Sequence, residues 1–311
     1  MYLKTSQQTE LNRFTVTHHP LGAGERERQE NIFKRNADLA VHFGAELRGF
    51  YSAMLSQTEM ASGVTCSEIL ETEARGWWVR PPNSGTRAIL YIHGGGYHMG
   101  DAASYRGIAS QIAFRTDCPV FVMDYPLAPE HRFPAAFDTA LKARDWLGAN
   151  GIAQLAIIGD SAGGGLALSL LSEPMRVGRL ASVVVFSPWT DLALTGQSFN
   201  DPNKQDPVFK PARLSGLAQS YLAGADARDP RASPLYGIPI ELPPIAIQVG
   251  SEELLLDDSQ RYAEIAASRG GVVALDIFDG MHHVFQSNPG ILNAADLALA
   301  SLCRFVDAHW D

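Results

Sequence analysis

Cysteine and long apolar runs are scarce in this sequence. Its 311 residues include only Cys66, Cys118 and Cys303, an odd and sparse set that argues against a disulfide framework and suits a reducing compartment. No run approaches the roughly 18 consecutive apolar residues of a transmembrane helix. The N-terminal stretch lacks the apolar centre of a signal peptide. We therefore expect a cytoplasmic protein without stable membrane association.

Positive charge is also in short supply. There are 25 lysines and arginines against 34 acidic residues, which gives a formal net charge of −9, and no basic block occurs. The sequence therefore lacks the cluster of positive charge that nucleic-acid binding requires. No dinucleotide-binding or P-loop motif can be drawn through the glycine clusters. The adjacent His282 and His283 have no further ligands at metal-binding spacing, so no metal site is predicted.

The chain from Trp77 onward alternates short apolar runs with helical stretches. Six runs are predicted as buried strands, at 87–93, 119–125, 154–160, 181–187, 244–250 and 272–278. Helices are predicted between them, at about 103–116, 134–149, 163–172 and 257–269. Near-continuous apolar strands separated by helices predict an α/β fold with a mostly parallel sheet covered on both faces. A ligand site is then expected beyond the carboxyl ends of the strands.

Two stretches fall outside this alternation. Within residues 1–75, apolar side chains recur at helical spacing and predict one or two amphipathic helices. Residues 188–228 are rich in proline, aspartate and glycine, with one good helix at about 211–222, which is typical of a lid or binding segment. The sequence thus predicts an α/β domain of 76–187 and 229–311, an N-terminal helical segment of 1–75, and a lid insertion at 188–228; the first would be the catalytic domain and the other two its cap segments in the family resemblance described below.

The sequence Gly-Asp-Ser-Ala-Gly at 159–163 is the strongest catalytic signal. It follows a predicted strand and precedes a predicted helix, which is the context of a nucleophile elbow. Flanking glycines permit the sharp turn that exposes Ser161, and the helix N-terminus favours developing negative charge. The amide of Ala162 is expected to face an oxyanion, and Asp160 to shape the turn rather than to titrate in the reaction.

Three consecutive glycines follow another predicted strand, in the sequence HGGGYHMGD of residues 93–101. Glycines let backbone amides approach a ligand closely, and acyl transfer needs two or more amides directed at the tetrahedral oxygen. We expect Gly94 and Gly95 to be these donors, in preference to Gly96. His93 is expected to orient the loop by hydrogen bonding, and His98 to lie on the surface.

These motifs together resemble the hormone-sensitive-lipase-like family of α/β-hydrolases, in its bacterial esterase branch. HGGG stands about 65 residues before GDSAGG, and the stretches 124–140, 187–192 and 280–285 agree as well. The resemblance covers about residues 75–311, with one departure at Pro126, where the family usually has arginine. It implies an α/β-hydrolase fold with a helical cap. It also implies hydrolysis of short- to medium-chain carboxylic esters without a cofactor.

The resemblance also indicates the partners of the serine, because the family order is serine, acid, histidine. The family pattern G-M-x-H-x-F selects His283 over His282 as the base. The acid has four candidates, Glu252, Glu253, Asp257 and Asp258. Glu253 occupies the family's aspartate position, and Asp257 is the second candidate. Asp257 and Asp258 could equally cap the N-terminus of a helix.

The sequence leaves the pocket walls, the oligomeric state and the exact reaction open. Four apolar residues are candidate walls of the substrate pocket: Tyr97, Trp189, Phe209 and Leu254. By analogy with relatives, an edge strand near the C-terminus could pair two subunits in a homodimer. A catalytically silent small-molecule receptor on the same fold is the rival to a serine carboxylesterase. Amide or carbamate hydrolysis and acyl transfer share the same acyl-enzyme, so the sequence does not separate them from ester hydrolysis.

Overall fold

The computed structural model describes residues 13–83 and 85–310. Most of the N-terminal stretch lies outside these residues. The expectation about a signal peptide concerns that stretch and so lies outside them as well. Within them, no helix is both long and apolar enough to cross a bilayer. Cys66, Cys118 and Cys303 form no disulfide.

The described residues form one nine-stranded sheet. Its strands are β1 Phe14–His19, β2 Thr65–Leu70, β3 Arg75–Arg80, β4 Arg87–Ile92, β5 Val120–Met123, β6 Gln154–Asp160, β7 Arg179–Phe186, β8 Ile245–Gly250 and β9 Val273–Phe278. Their order across the sheet is β1-β9-β8-β7-β6-β4-β5-β3-β2. All neighbouring strands are parallel except β3, which is antiparallel to both β2 and β5. The carboxyl ends of the parallel strands therefore meet at one edge, where the site lies.

Helices cover both faces of the sheet. In the described chain they are α1 Glu25–Phe43, α2 Leu47–Leu55, α3 Arg106–Thr116, α4 Ala135–Ala149, α5 Ser161–Ser169, α6 Gln197–Asn200, α7 Pro211–Leu222, α8 Leu256–Ser268 and α9 Asn293–Asp307. Successive residues of the central strands point to opposite faces. Leu90 and Ile157 therefore pack in the core with α4, α5 and α8, whereas Ile89 and Ile158 pack in a second core with α3 and α9.

The mostly parallel, two-faced sheet predicted from the apolar runs is confirmed, and the ends of the six predicted strands differ from the observed ones by at most two residues. These runs could be recognised because both faces of the central strands are buried, so each strand has to be apolar along almost its whole length. The helix predicted at about 211–222 is observed over Pro211–Leu222 as α7.

Two features of the sheet were not expected from the sequence. The helices predicted within residues 1–75 are observed as α1 and α2, but the same segment also supplies two strands, since β1 pairs with β9 and β2 pairs with β3. Both are edge strands with mostly exposed side chains, so they lack the apolar pattern that marks the central strands. The C-terminal strand β9 lies between β8 and β1, so it is not an edge strand that could pair two subunits.

The first helix of the cap is fastened to the last helix of the chain. The carboxylate of Glu25, which is 1% exposed, accepts hydrogen bonds from the amides of Asn293 (3.1 Å) and Ala294 (3.3 Å). These amides begin α9 and have no partner within the helix. Glu25 also accepts a 2.7 Å hydrogen bond from the Arg28 guanidinium. This buried carboxylate therefore caps α9 and sets the position of α1.

We predict that Glu25→Ala lowers the free energy of unfolding by about 1–3 kcal/mol, because it leaves two buried amides without an acceptor. Urea titration followed by circular dichroism measures this loss. Glu27→Ala is the matched control, since Glu27 is an exposed residue of the same helical turn. Equal destabilisation by the two substitutions would contradict the capping role.

Candidate active site

Ser161 stands at the junction of β6 and α5, in a sharply turned backbone. Its φ is +54°, in the left-handed region that residues with a Cβ seldom adopt. A Cβ on Gly159 would clash with the carbonyl of Gly163, and one on Gly163 would clash with the carbonyls of Ile92 and His93. The two flanking glycines are therefore required for this turn and for its close approach to the chain after β4.

Ser161, His283 and Glu253 form one continuous hydrogen-bonded line. The Oγ atom of Ser161 lies 2.8 Å from Nε2 of His283, and Nδ1 of His283 lies 2.7 Å from Oε2 of Glu253. Because a carboxylate only accepts, His283 donates from Nδ1, and its Nε2 then accepts from the serine hydroxyl. All three side chains are buried. The structure thus brings together the serine, the base and the first-choice acid indicated by the sequence.

Ser187 is a site residue to which the sequence motifs gave no role. Oε1 of Glu253 accepts hydrogen bonds from its hydroxyl (2.7 Å) and from the amide of Gly250 (2.6 Å). The same hydroxyl accepts a 3.1 Å hydrogen bond from the amide of Val284. Ser187 therefore links the acid to the loop that carries His283. Its place directly after the buried strand β7 was the available signal, since functional groups gather at such strand ends.

Two other candidates for the acid, Asp257 and Asp258, bind a different segment of the chain. Asp257 accepts a 2.9 Å hydrogen bond from the amide of Ser198, and Asp258 accepts from the amides of Thr190 (2.8 Å) and Asp191 (2.9 Å). They lie in the first turn of α8 but bind loop 188–198 rather than capping their own helix. Burial beside Asp191 raises the pKa of Asp258 to about 7.

The oxyanion loop, residues 93–101, differs from expectation at its first glycine. The amide of Gly94 donates to Oδ1 of Asp160 (3.0 Å) and to Oη of Tyr105 (3.0 Å), so its assignment as an oxyanion donor is wrong. Gly95 and Gly96, with φ of +107° and +62°, line the same cavity as Ser161. Neither amide donates a hydrogen bond to any residue that the structure describes.

Asp160 holds this loop in place through hydrogen bonds. Besides the Gly94 amide, its carboxylate accepts 3.0 Å hydrogen bonds from the hydroxyls of Tyr91 and Tyr105. Burial raises the pKa of Asp160 to about 6, although the hydrogen bonds from the two tyrosines favour the charged form. Nδ1 of His93 lies 2.8 Å from the carbonyl oxygen of Gly94, and its ring stacks on Tyr125 with centroids 4.2 Å apart.

The two adjacent histidines have opposite electrostatic environments. Burial disfavours the charged ring of His283, but the carboxylates of Glu253, Asp206 and Asp160 together outweigh that cost, with Glu253 contributing most, so the pKa of His283 is raised above 6.5. Burial and the proximity of His283 lower the pKa of His282 to about 3. Nδ1 of His282 lies 2.7 Å from Oε1 of Gln29 on α1.

A cavity of about 550 Å³ opens above Ser161. Both cap segments line it, and its apolar walls include Phe33, Phe50, Met54, Val208, Phe209 and Leu217. Of the four predicted wall residues, only Phe209 is among the lining residues, with its ring edge-on to His283 at 4.9 Å. Tyr97, Trp189 and Leu254 lie in the hydrophobic core instead.

Metal-ligating side chains do not cluster in the described part of the chain, where no group of three or more His, Cys, Asp or Glu residues could hold an ion. The cavity-lining site itself presents a hydroxyl, an imidazole, a carboxylate and backbone amides.

Comparison with known proteins gives a consistent result. Residues 89–287 match the family described as alpha/beta hydrolase fold. The chain is 38% identical over 213 residues to an acetyl-hydrolase of Streptomyces hygroscopicus, covering 67% of this chain and 71% of that protein. It is 36% identical over 236 residues to an esterase of Acinetobacter venetianus, covering 74% and 78%.

A solved structure agrees with these relatives. The crystal structure of an esterase from the bacterial hormone-sensitive lipase family is similar with a TM-score of 0.84 and 31% identity, covering 94% of this chain and 100% of that chain. The resemblance seen in the sequence motifs is thereby confirmed. This chain belongs to the α/β-hydrolase fold family, among the carboxylic ester hydrolases of the bacterial hormone-sensitive lipase group.

Proposed function

We propose that this protein is a serine carboxylesterase that hydrolyses short- to medium-chain esters through an acyl-enzyme on Ser161. The observation that carries the proposal is the 2.8 Å hydrogen bond between Ser161 and His283, with Glu253 on the far nitrogen of the ring. A serine hydroxyl is a weak nucleophile until an adjacent base removes its proton. Here His283 already contacts the serine hydroxyl, and Glu253 already orients its ring.

The reaction proceeds in two halves. In the first, the Ser161 oxygen attacks the ester carbonyl while Nε2 of His283 takes its proton, and the imidazolium then protonates the departing alcohol. In the second, water attacks the acyl-enzyme by the same route and the carboxylic acid leaves. Glu253 holds the ring and stabilises its transient charge. The cycle requires no cofactor and no metal.

The oxyanion is held by the amides of Gly95, Gly96 and Ala162. Gly95 and Gly96 line the cavity beside Ser161, and their amides have no hydrogen-bond acceptor among the described residues. Ala162 follows the nucleophile in the first turn of α5, where helical amides lack internal partners. Such donors contribute most in the transition state, because the negative charge develops only there.

The size and lining of the cavity support small ester substrates. A volume of about 550 Å³ with mostly apolar walls accommodates an alkyl or aryl ester, and both cap segments bound it. The Streptomyces relative is named an acetyl-hydrolase, which agrees with a short acyl group. We propose a small-molecule ester as the partner of this site.

Ser161→Ala should reduce kcat for p-nitrophenyl acetate and butyrate by at least about 10³-fold, because the acyl-enzyme can no longer form. Steady-state release of p-nitrophenol measures it. Ser182→Ala is the matched control, since Ser182 is a buried serine on β7 whose hydroxyl has no partner in the described structure. Wild-type protein that binds these esters without turning them over would favour the silent receptor instead.

Glu253→Gln should lower kcat by roughly 10³- to 10⁴-fold, because the acid then neither sets the tautomer of His283 nor stabilises its cation. Asp257→Ala should instead reduce the unfolding free energy by about 1–2 kcal/mol, by freeing the amide of Ser198, and leave kcat near that of the wild type. Steady-state kinetics and urea titration separate the two effects. The reverse pattern would identify Asp257 as the acid.

The pH dependence of kcat/KM should report His283. The base acts only when neutral and its pKa is raised, so activity should fall as the pH drops through a midpoint above 6.5. In Glu253→Gln, the main contribution that raises this pKa is removed, so the acidic limb of the residual activity should move to lower pH. Asp257→Ala should keep the wild-type limb. An unchanged limb in Glu253→Gln would contradict the assignment.

A further inference from the structure

The oxyanion loop is contacted along its length by one face of α2. Arg48, Tyr51 and Ser52 lie three and four positions apart on this helix, so they share that face. Arg48 donates from Nε to the carbonyl of His98 (2.8 Å), and Ser52 donates to Oδ2 of Asp101 (2.5 Å). A helix of the cap therefore fastens the second half of the loop at two points.

Tyr51 meets the first half of the loop, where the glycines lie. A Cβ placed on Gly95 would be 3.2 Å from Cε1 of Tyr51, so the ring packs directly against this glycine. The hydroxyl of Tyr51 lies 3.0 Å from the hydroxyl of Tyr105. One side chain thus touches a proposed oxyanion donor and also reaches the polar group behind the loop.

The direction of this hydrogen bond follows from its neighbours. Tyr105 has a single hydroxyl proton and donates it to Oδ2 of Asp160, because a carboxylate can only accept. Its oxygen also accepts from the amide of Gly94. Tyr51 must therefore be the donor to Tyr105. The result is a chain of hydrogen bonds from the cap to the carboxylate that holds the loop.

We propose that Tyr51 is a positioning residue for the reaction, which orients the oxyanion loop through its ring on Gly95 and its hydroxyl on Tyr105. The inference rests on the proposed function, since it concerns the same oxyanion donors. Loss of the Tyr51 hydroxyl weakens the network that holds Gly94, and with it the alignment of the next two amides. Because these amides act on charge that exists only in the transition state, the loss appears in kcat rather than in KM.

The test compares Tyr51→Phe, which keeps the ring and removes the donor, with the wild type. We expect kcat for p-nitrophenyl butyrate to fall about 5- to 20-fold, less than for loss of a direct oxyanion donor, with KM within about twofold. The inhibition constant of an alkyl trifluoromethyl ketone, which forms an oxyanion on Ser161, should rise by the same factor. Tyr262→Phe is the control, since this buried hydroxyl has no partner within the described residues.

A double-mutant cycle identifies the route of the effect. If Tyr51 acts through Tyr105, the variant that combines Tyr51→Phe with Tyr105→Phe should be no slower than Tyr105→Phe alone. Full additivity would overturn the proposed route. A wild-type kcat in Tyr51→Phe, or a change confined to KM, would overturn the positioning role while leaving the esterase proposal intact. Wild-type protein without Ser161-dependent turnover would overturn both.

Discussion

The tight backbone turn at Ser161 is the constraint on which the rest of the site depends. Holding a residue with a Cβ at φ +54° costs about 1–2 kcal/mol, so the surroundings must impose it. They do so through contact, because Gly163 packs without a side chain against the carbonyls of Ile92 and His93. The nucleophile and the oxyanion loop are therefore locked to each other by close packing of main chain on main chain.

Two buried carboxylates then hold the groups on either side of this turn. An anion removed from water has to be surrounded by donors, and both are. Asp160 accepts from Tyr91, Tyr105 and Gly94, and Glu253 accepts from Ser187, Gly250 and His283. The first anchors the oxyanion loop and the second anchors the base. In the proposed reaction neither carboxylate takes part in bond making, yet each holds in place a group that does.

The cap connects to both sides of the site through its two helices. On α1, Gln29 lies 2.7 Å from His282 and donates to the carbonyl of Gly280, next to the loop that carries the base. On α2, Tyr51 and its neighbours contact the oxyanion loop. The helices that bound the cavity therefore also contact the loops that carry the proposed base and the proposed oxyanion donors. Changes in the cap should therefore alter rate as well as substrate preference.

Local patterns along the chain determined the central strands, the helices between them and the turn that carries Ser161. These features could be predicted because burial on both faces of a sheet and a sharp strand-to-helix turn each demand particular residue types within a short stretch. Only the resemblance to the family, with its order of serine, acid and histidine, indicated Glu253 and His283 as the partners of Ser161. Only the tertiary structure brings these three side chains together, at the edge of the sheet where the strands end.

Tertiary structure alone decided where the amide of Gly94 points, because its acceptor, Asp160, lies 66 positions away in the chain. It also decided that β1 and β2 complete the sheet, since exposed edge strands need no apolar pattern and are recognised only by their partners. The same holds for the pocket, where Phe209 lines the cavity and Trp189 is buried in the core. An aromatic side chain suits either place equally well, so its position depends on what the rest of the chain packs against it.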